Sequence, residues 1–186
     1  DEPINTYVKG VLCKAVGDDR CNNVRLYIVR VPFFNAYMTP NGTMVVWSGL
    51  LLRMRNEAEL ASVLGHEFAH FEKRHGLQSF KKARGTTDLL AWANFTLFGG
   101  LIQQAAIGSF FSFSRENEKE ADLTAPAYMS RADYPVASFA DIWARLLDEE
   151  DATRFARNQK SKRNRNTPFF ATHPTSLDRT NYLRDL

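Results

Sequence analysis

Two histidines flank a glutamate at His66-Glu67-Phe68-Ala69-His70. On a helix, residues four apart share a face, so both imidazoles can reach one metal ion. Neutral imidazole suits zinc, and zinc brings the pKa of a bound water down toward neutrality. Glu67 sits at the edge of that face, where a carboxylate can take the proton of such a water. The H-E-x-x-H pattern therefore reads as metal-assisted hydrolysis. The competing explanation is a chance match on an exposed helix.

The flanks argue against chance. Asn56 is a good N-cap, and Glu59 three residues later completes a capping-box pattern. Leu60, Val63, Leu64, Phe68 and Phe71 recur at helical spacing and face a core. Gly76 is a stop signal, so the spacing predicts a helix over 57–75. Polar ligands on so apolar a helix are costly without a partner. The three-histidine variant of the motif needs Gly and His where this chain has Lys73 and Gly76. His75, five residues past His70, lies about 140° around a helix of 3.6 residues per turn. While the helix continues it cannot join the same metal, and it reads as a helix-end histidine favoured by the dipole.

A third ligand must come from elsewhere. Ser114-Arg115-Glu116-Asn117-Glu118-Lys119-Glu120-Ala121-Asp122 places Glu118 and Asp122 four apart, on one helical face. A charge run of this kind is ordinarily a solvated surface. Downstream of H-E-x-x-H it reads instead as Glu118 on the metal. Asp122 then accepts a hydrogen bond from a ligand histidine and fixes its tautomer.

The remaining pattern supplies the elements that position these groups. Apolar residues at helical spacing predict a helix over 3–16, broken at Gly17-Asp18-Asp19. Val24 to Val31, Phe33 to Met38 and Thr43 to Ser48 read as strands. Pro32 interrupts the first two, and Pro40-Asn41-Gly42 turns the second into the third. That hairpin precedes the metal helix, after a short helical lead-in over 49–54. Residues 88–111 are strongly apolar but carry Asn94, Gln103, Gln104 and glycines. No uncharged apolar run there reaches the ~20 residues of a membrane span. A buried or groove-lining helix pair is expected, with a surface for lipid or an unfolded client as the alternative. Residues 136–150 predict another amphipathic helix, and Thr175 or Ser176 caps a last one.

At 186 residues the chain is expected to form one domain, 1–186, large enough for a proper core. Net charge is only +3, and the run Lys160, Lys162, Arg163, Arg165 reads as a solvated loop. No basic stripe with interleaved aromatics is present, which argues against nucleic acid as a partner. Cys13 and Cys21 lie outside C-x-x-C spacing, so a cysteine-based zinc knuckle is excluded. They are either a disulfide closing a small loop or two free thiols, and the sequence leaves both open. A chain beginning at Asp1 rather than Met is expected to be processed or trimmed.

Taken together, these motifs resemble the zinc endopeptidases of the CaaX prenyl protease 1, HtpX and BepA-like family, metallopeptidase family forty-eight. The resemblance runs in order through Asn35-Ala36, Gly49-Leu50-Leu51, the segment from Glu59 to His70, Ser114-Arg115 with Glu118 and Ala121-Asp122, and His173-Pro174 with Arg179. It implies an α+β, mostly helical zincin of gluzincin type, with a small, mainly antiparallel sheet beside the H-E-x-x-H helix. It implies one zinc on His66, His70 and Glu118, with Glu67 as the base. Asn35 and Ala36 would lie on a substrate-aligning edge strand, which binds extended peptide by β-augmentation. His173 and Arg179 would lie near the active site. His173 reads either as a donor to the tetrahedral oxyanion or as an anchor of its loop. It is also a zinc ligand by type, and in the fourth zinc position it would close the site.

Two departures fall outside the proposed ligands. Pro126 lies within the expected second helix, and Arg131-Ala132-Asp133-Tyr134-Pro135 replaces the family's Gly-Tyr-x-Pro turn. The function implied is endoproteolysis of unfolded or mislocalised polypeptides in the bacterial periplasm. Association with the outer membrane or a lipid anchor in a longer precursor fits the same branch. The alternatives are a chaperone-like binding module for unfolded envelope proteins and a membrane-surface protein using residues 88–111.

Overall fold

A computed structural model describes residues 2–81, 113–158, 173 and 177–185, with the side chains of 177–179 outside that description. The expectations for 88–111 and for the basic run at 160–165 lie outside the described residues. Helix α1 (Glu2–Val16) is followed by a single turn, α2 (Asp18–Cys21). Three strands follow: β1 (Arg25–Val29), β2 (Ala36–Met38) and β3 (Thr43–Trp47). A short α3 (Ser48–Leu51) leads into the long α4 (Glu57–Glu72). Two long helices, α5 (Arg115–Arg131) and α6 (Ala137–Ala156), and a last one, α7 (Leu177–Arg184), complete the described elements.

Helix α4 is the axis of the core. Every residue from Ala58 to His70 is buried, the state expected of a helix packed on all sides. Helices α1, α5 and α6 and strand β2 surround it. Its start is fixed by Asn56, whose Oδ1 accepts the Glu59 N–H at 2.9 Å. Glu59 answers by accepting the Arg55 N–H at 2.8 Å, one residue further upstream than a standard capping box. Arg145 of α6 closes the arrangement with two bonds to the same carboxylate, at 2.7 and 2.6 Å.

The α4–α5 crossing is close because small residues line it. A Cβ on Gly65 would stand 3.4 Å from the Tyr128 ring and 3.9 Å from the Ala125 Cβ. Ser114 caps α5 by accepting the Asn117 N–H. The helix runs on through Pro126, which removes one backbone rung without ending it. At its C-terminal end Asp133 adopts φ 56°, and the Tyr134 N–H returns to the Met129 carbonyl at 2.9 Å. Asp133 thus takes the left-handed position usually filled by glycine.

The sheet departs from the simplest expectation. β2 and β3 form the antiparallel hairpin, with Gly42 at φ 83° in its turn. β1 does not pair with β2. It lies parallel to β3, which takes the central place in the order β1-β3-β2. The sheet is therefore mixed. Met44 and Val46 are fully buried on β3, whereas β1 buries only Leu26 and Ile28, and those partly. The more apolar strand occupies the centre. The crossing from β1 to β2 is tied down at Gly49, where a Cβ would meet the Pro32 carbonyl oxygen at 2.2 Å.

Cys13 and Cys21 are joined as a disulfide, which settles the choice the sequence left open. Helix α6 runs a turn and a half beyond the predicted end, supported by the Glu150–Arg154 pair, four residues apart at 2.9 Å. Among the described residues, no helix is long and apolar enough to cross a membrane.

Candidate metal centre

Helix α4 presents His66 and His70 one turn apart, with their Nε2 atoms 3.0 Å from each other. Helix α5 brings Glu118 against both. One Glu118 oxygen lies 3.5 Å from His66 Nε2 and the other 3.3 Å from His70 Nε2. His173 enters the same pocket, its Nδ1 3.0 Å from Glu118 Oε1 and 3.4 Å from His66 Nε2. One ligand atom from each of these four buried residues lies within 4.8 Å of the others.

Those spacings carry a test. A tetrahedral centre with bonds of about 2.0–2.1 Å has donor–donor edges of roughly 3.3 Å. The separations of 3.0–3.5 Å match that figure. Charge points the same way. Glu67, Glu118 and Asp122 are three buried carboxylates within one pocket, an arrangement that is costly without a cation among them. The four residues fit a metal ion.

Asp122 lies one turn beyond Glu118 on α5, and its Oδ1 is 3.0 Å from His66 Nδ1. With that N–H donated to Asp122, His66 turns its Nε2 lone pair toward Glu118 and His70. Burial opposes a charged His66. The hydrogen bonds and field of Asp122 and Glu118 outweigh it, and the pKa is raised from 6.5 to about 9. The same negative field favours any cation at Nε2. His70 behaves oppositely: burial pushes it well below its ordinary value, and the charges on His66 and His173 add to that despite Glu118.

Glu67 is buried beside the cluster, its Oε1 3.3 Å from His173 Nε2. Asn35 and Ala36 are both buried where the chain enters β2, an edge strand next to α4. The Asn35 carbonyl accepts the Trp47 N–H, and Tyr37 and Thr39 also face β3. By the alternation of an antiparallel ladder, Ala36 and Met38 direct their backbone groups away from β3, toward the edge that no other strand covers among the described residues. The edge-facing residue of the expected pair is thus Ala36, not Asn35. Arg179 lies on α7, and its side chain is outside the described residues.

The sequence reading of His75 needs correction. Helix α4 ends at Glu72, not at 75, and Arg74 turns the chain with φ 58°. His75 is thereby folded back into the core, with its Nδ1 2.9 Å from His70 Nδ1 and its Nε2 3.1 Å from Glu120 Oε2. Two further neighbours were not read from the sequence. The Phe113 ring stacks on His70, with centroids 3.9 Å apart and planes 17° apart. Tyr182 on α7 donates its hydroxyl to Asp122 Oδ2. Nothing local marks either one, since both act across long sequence separations.

Comparison with known proteins agrees with this geometry. The mitochondrial metalloendopeptidase OMA1 of Schizosaccharomyces pombe is 31% identical over 188 residues, which cover 98% of this chain and 53% of that protein. The metalloprotease LoiP of Escherichia coli is 28% identical over 171 residues, covering 88% of this chain and 62% of LoiP. The beta-barrel assembly-enhancing protease of Yersinia pestis is 27% identical over 147 residues, covering 69% of this chain and 30% of its own length. The chain thus spans about half or less of most of these relatives. Residues 4–186 match the family described as Peptidase family M48. The chain belongs to peptidase family M48.

Proposed function

We propose that this chain is a zinc-dependent endopeptidase that cuts extended segments of unfolded or mislocalised polypeptides in the bacterial envelope. The observation that carries the reading is the convergence of His66, His70 and Glu118 at the donor spacing of a tetrahedral metal, with the Glu67 carboxylate beside them. Zinc held there would supply Lewis acidity toward a water and toward the scissile carbonyl oxygen. Glu67 takes the proton of the attacking water and passes it to the departing amine nitrogen. Asp122 holds His66 in the tautomer that leaves Nε2 as the ligand atom. The outward backbone of Ala36 and Met38 aligns the substrate as an added strand, and the pocket lies alongside on α4.

His173 occupies the place of a fourth donor, at 3.0 Å from Glu118 and 3.4 Å from His66. A catalytic site needs one open position, so this arrangement supports a closed, latent form over an oxyanion donor. Displacing the His173 segment would open the site. The Cys13–Cys21 disulfide supports an oxidising compartment such as the periplasm. A relative named for β-barrel assembly supports outer-membrane proteins as the substrate class.

The test is cleavage of casein by purified protein, stripped with a chelator and reloaded with zinc. One zinc per chain with cleavage restored on reloading is the expected result. A chain that binds no zinc ends the reading. A chain that binds zinc but cuts nothing, even as His173→Ala, favours a binding module for unfolded proteins.

A further inference from the structure

Both metal-facing histidines of α4 have a partner at Nδ1, and the two partners differ in kind. His66 has the Asp122 carboxylate, whereas His70 has a second imidazole, that of His75. We propose that His75, held in turn by Glu120, is the positioning residue for His70. The proposal rests on the reading of His70 as a metal ligand.

Donor and acceptor logic fixes the direction of this chain. If His70 gives its Nε2 lone pair to a metal, its Nδ1 carries the proton and must donate. The atom it meets, His75 Nδ1 at 2.9 Å, must then accept. His75 is therefore the neutral tautomer with its proton on Nε2, and that N–H donates to Glu120 Oε2 at 3.1 Å. Glu120 stays on the surface, half exposed, and pairs with Lys73 at 3.2 Å. His75 itself is 1% exposed, so its two ring nitrogens depend on these two partners.

The backbone is bent to make this possible. Lys73 and Arg74 form a turn between α4 and helical residues 75–81, and Arg74 adopts φ 58°. Left-handed backbone is unfavourable for an arginine, so the packing around the turn must hold it there. Had α4 continued, His75 would have pointed away from His70. The strained turn aims an imidazole at His70, and the Phe113 ring lies flat on the face of His70, within ring contact of His75 as well. Metal ligands whose outer partners are removed typically lose 10- to 100-fold in affinity.

The test compares two substitutions of equal size. His75→Asn keeps an acceptor near the place of Nδ1, and His75→Leu does not. Zinc affinity is measured by competition with a chelator, and the visible spectrum of the cobalt(II)-substituted protein reports the ligand field. Thermal unfolding of the chelator-treated proteins separates folding from metal binding. The expected result is a zinc affinity 10- to 100-fold weaker for His75→Leu with a shifted cobalt spectrum, and near wild-type values for His75→Asn. Glu120→Ala, a surface change, should weaken zinc binding several-fold through His75 alone. Equal affinities and spectra in wild type, His75→Leu and Glu120→Ala would overturn the proposal, as would equal losses in His75→Asn and His75→Leu. A wild type that binds no zinc, or a His70→Ala variant that binds it unchanged, would instead refute the ligand assignment beneath it.

Discussion

His66 Nδ1 and Asp122 Oδ1 lie 3.0 Å apart, and both side chains are fully buried. Tyr182 donates to the other oxygen of Asp122, so the carboxylate is held from two sides. The pair joins α4 to α5 and sets the orientation of one candidate ligand. Asp122→Ala should weaken zinc binding 10- to 100-fold, and Tyr182→Phe by less. Chelator competition measures both, and an unchanged affinity for Asp122→Ala would contradict the orienting role.

The start of α4 depends on the Glu59–Arg145 pair. Arg145→Met leaves the Glu59 carboxylate buried without its cation and should cost about 3 kcal/mol in urea unfolding. Burial alone would raise the Glu59 pKa, but the hydrogen bonds from Arg145 and the Arg55 N–H hold it below its ordinary 4.5. A depressed folded pKa favours the ionised state. The stabilisation is complete above about pH 4.5 and is lost as pH falls through the lower folded value. The stability difference between wild type and Glu59→Gln should therefore shrink below pH 4.5. A difference independent of pH would argue against an ionised Glu59.

Opening the pocket should be possible from the His173 side. His173→Ala removes the fourth donor, and basal casein cleavage should rise several-fold with zinc retained. Loss of cleavage with zinc still bound would instead make His173 the oxyanion donor.

Strand β2 gives a prediction about the substrate rather than the enzyme. Only alternate residues of an added strand bond to the outward groups of Ala36 and Met38. Single N-methylation along a cleaved peptide should abolish cleavage at alternate positions near the scissile bond. Uniform tolerance of N-methylation would exclude β-augmentation as the binding mode.

The candidate site was legible in sequence as far as local spacing reaches. His66, Glu67 and His70 share a helix, and Glu118 and Asp122 share another, so helical periodicity carried their relation. The capping residues Asn56 and Glu59 were readable for the same reason. His75 was misread because its position depends on one backbone angle at Arg74, a residue type with no preference for the left-handed region. Asp133 similarly takes a glycine position that its neighbours do not announce. Tyr182 and Phe113 reach the site across the fold, and strand order followed from which strand buries most, not from turn signals. Pro126 lies within α5 as the sequence placed it, and the helix continues past the one hydrogen bond that the proline removes.

Glu67 is proposed to act as base beside a zinc held by its neighbours. Casein cleavage by zinc-loaded wild type and Glu67→Gln tests it most directly, because the substitution leaves His66, His70 and Glu118 in place. The expected result is equal zinc content, cleavage by the wild type, and a loss of at least ~100-fold in the variant. Equal cleavage by both proteins would contradict it.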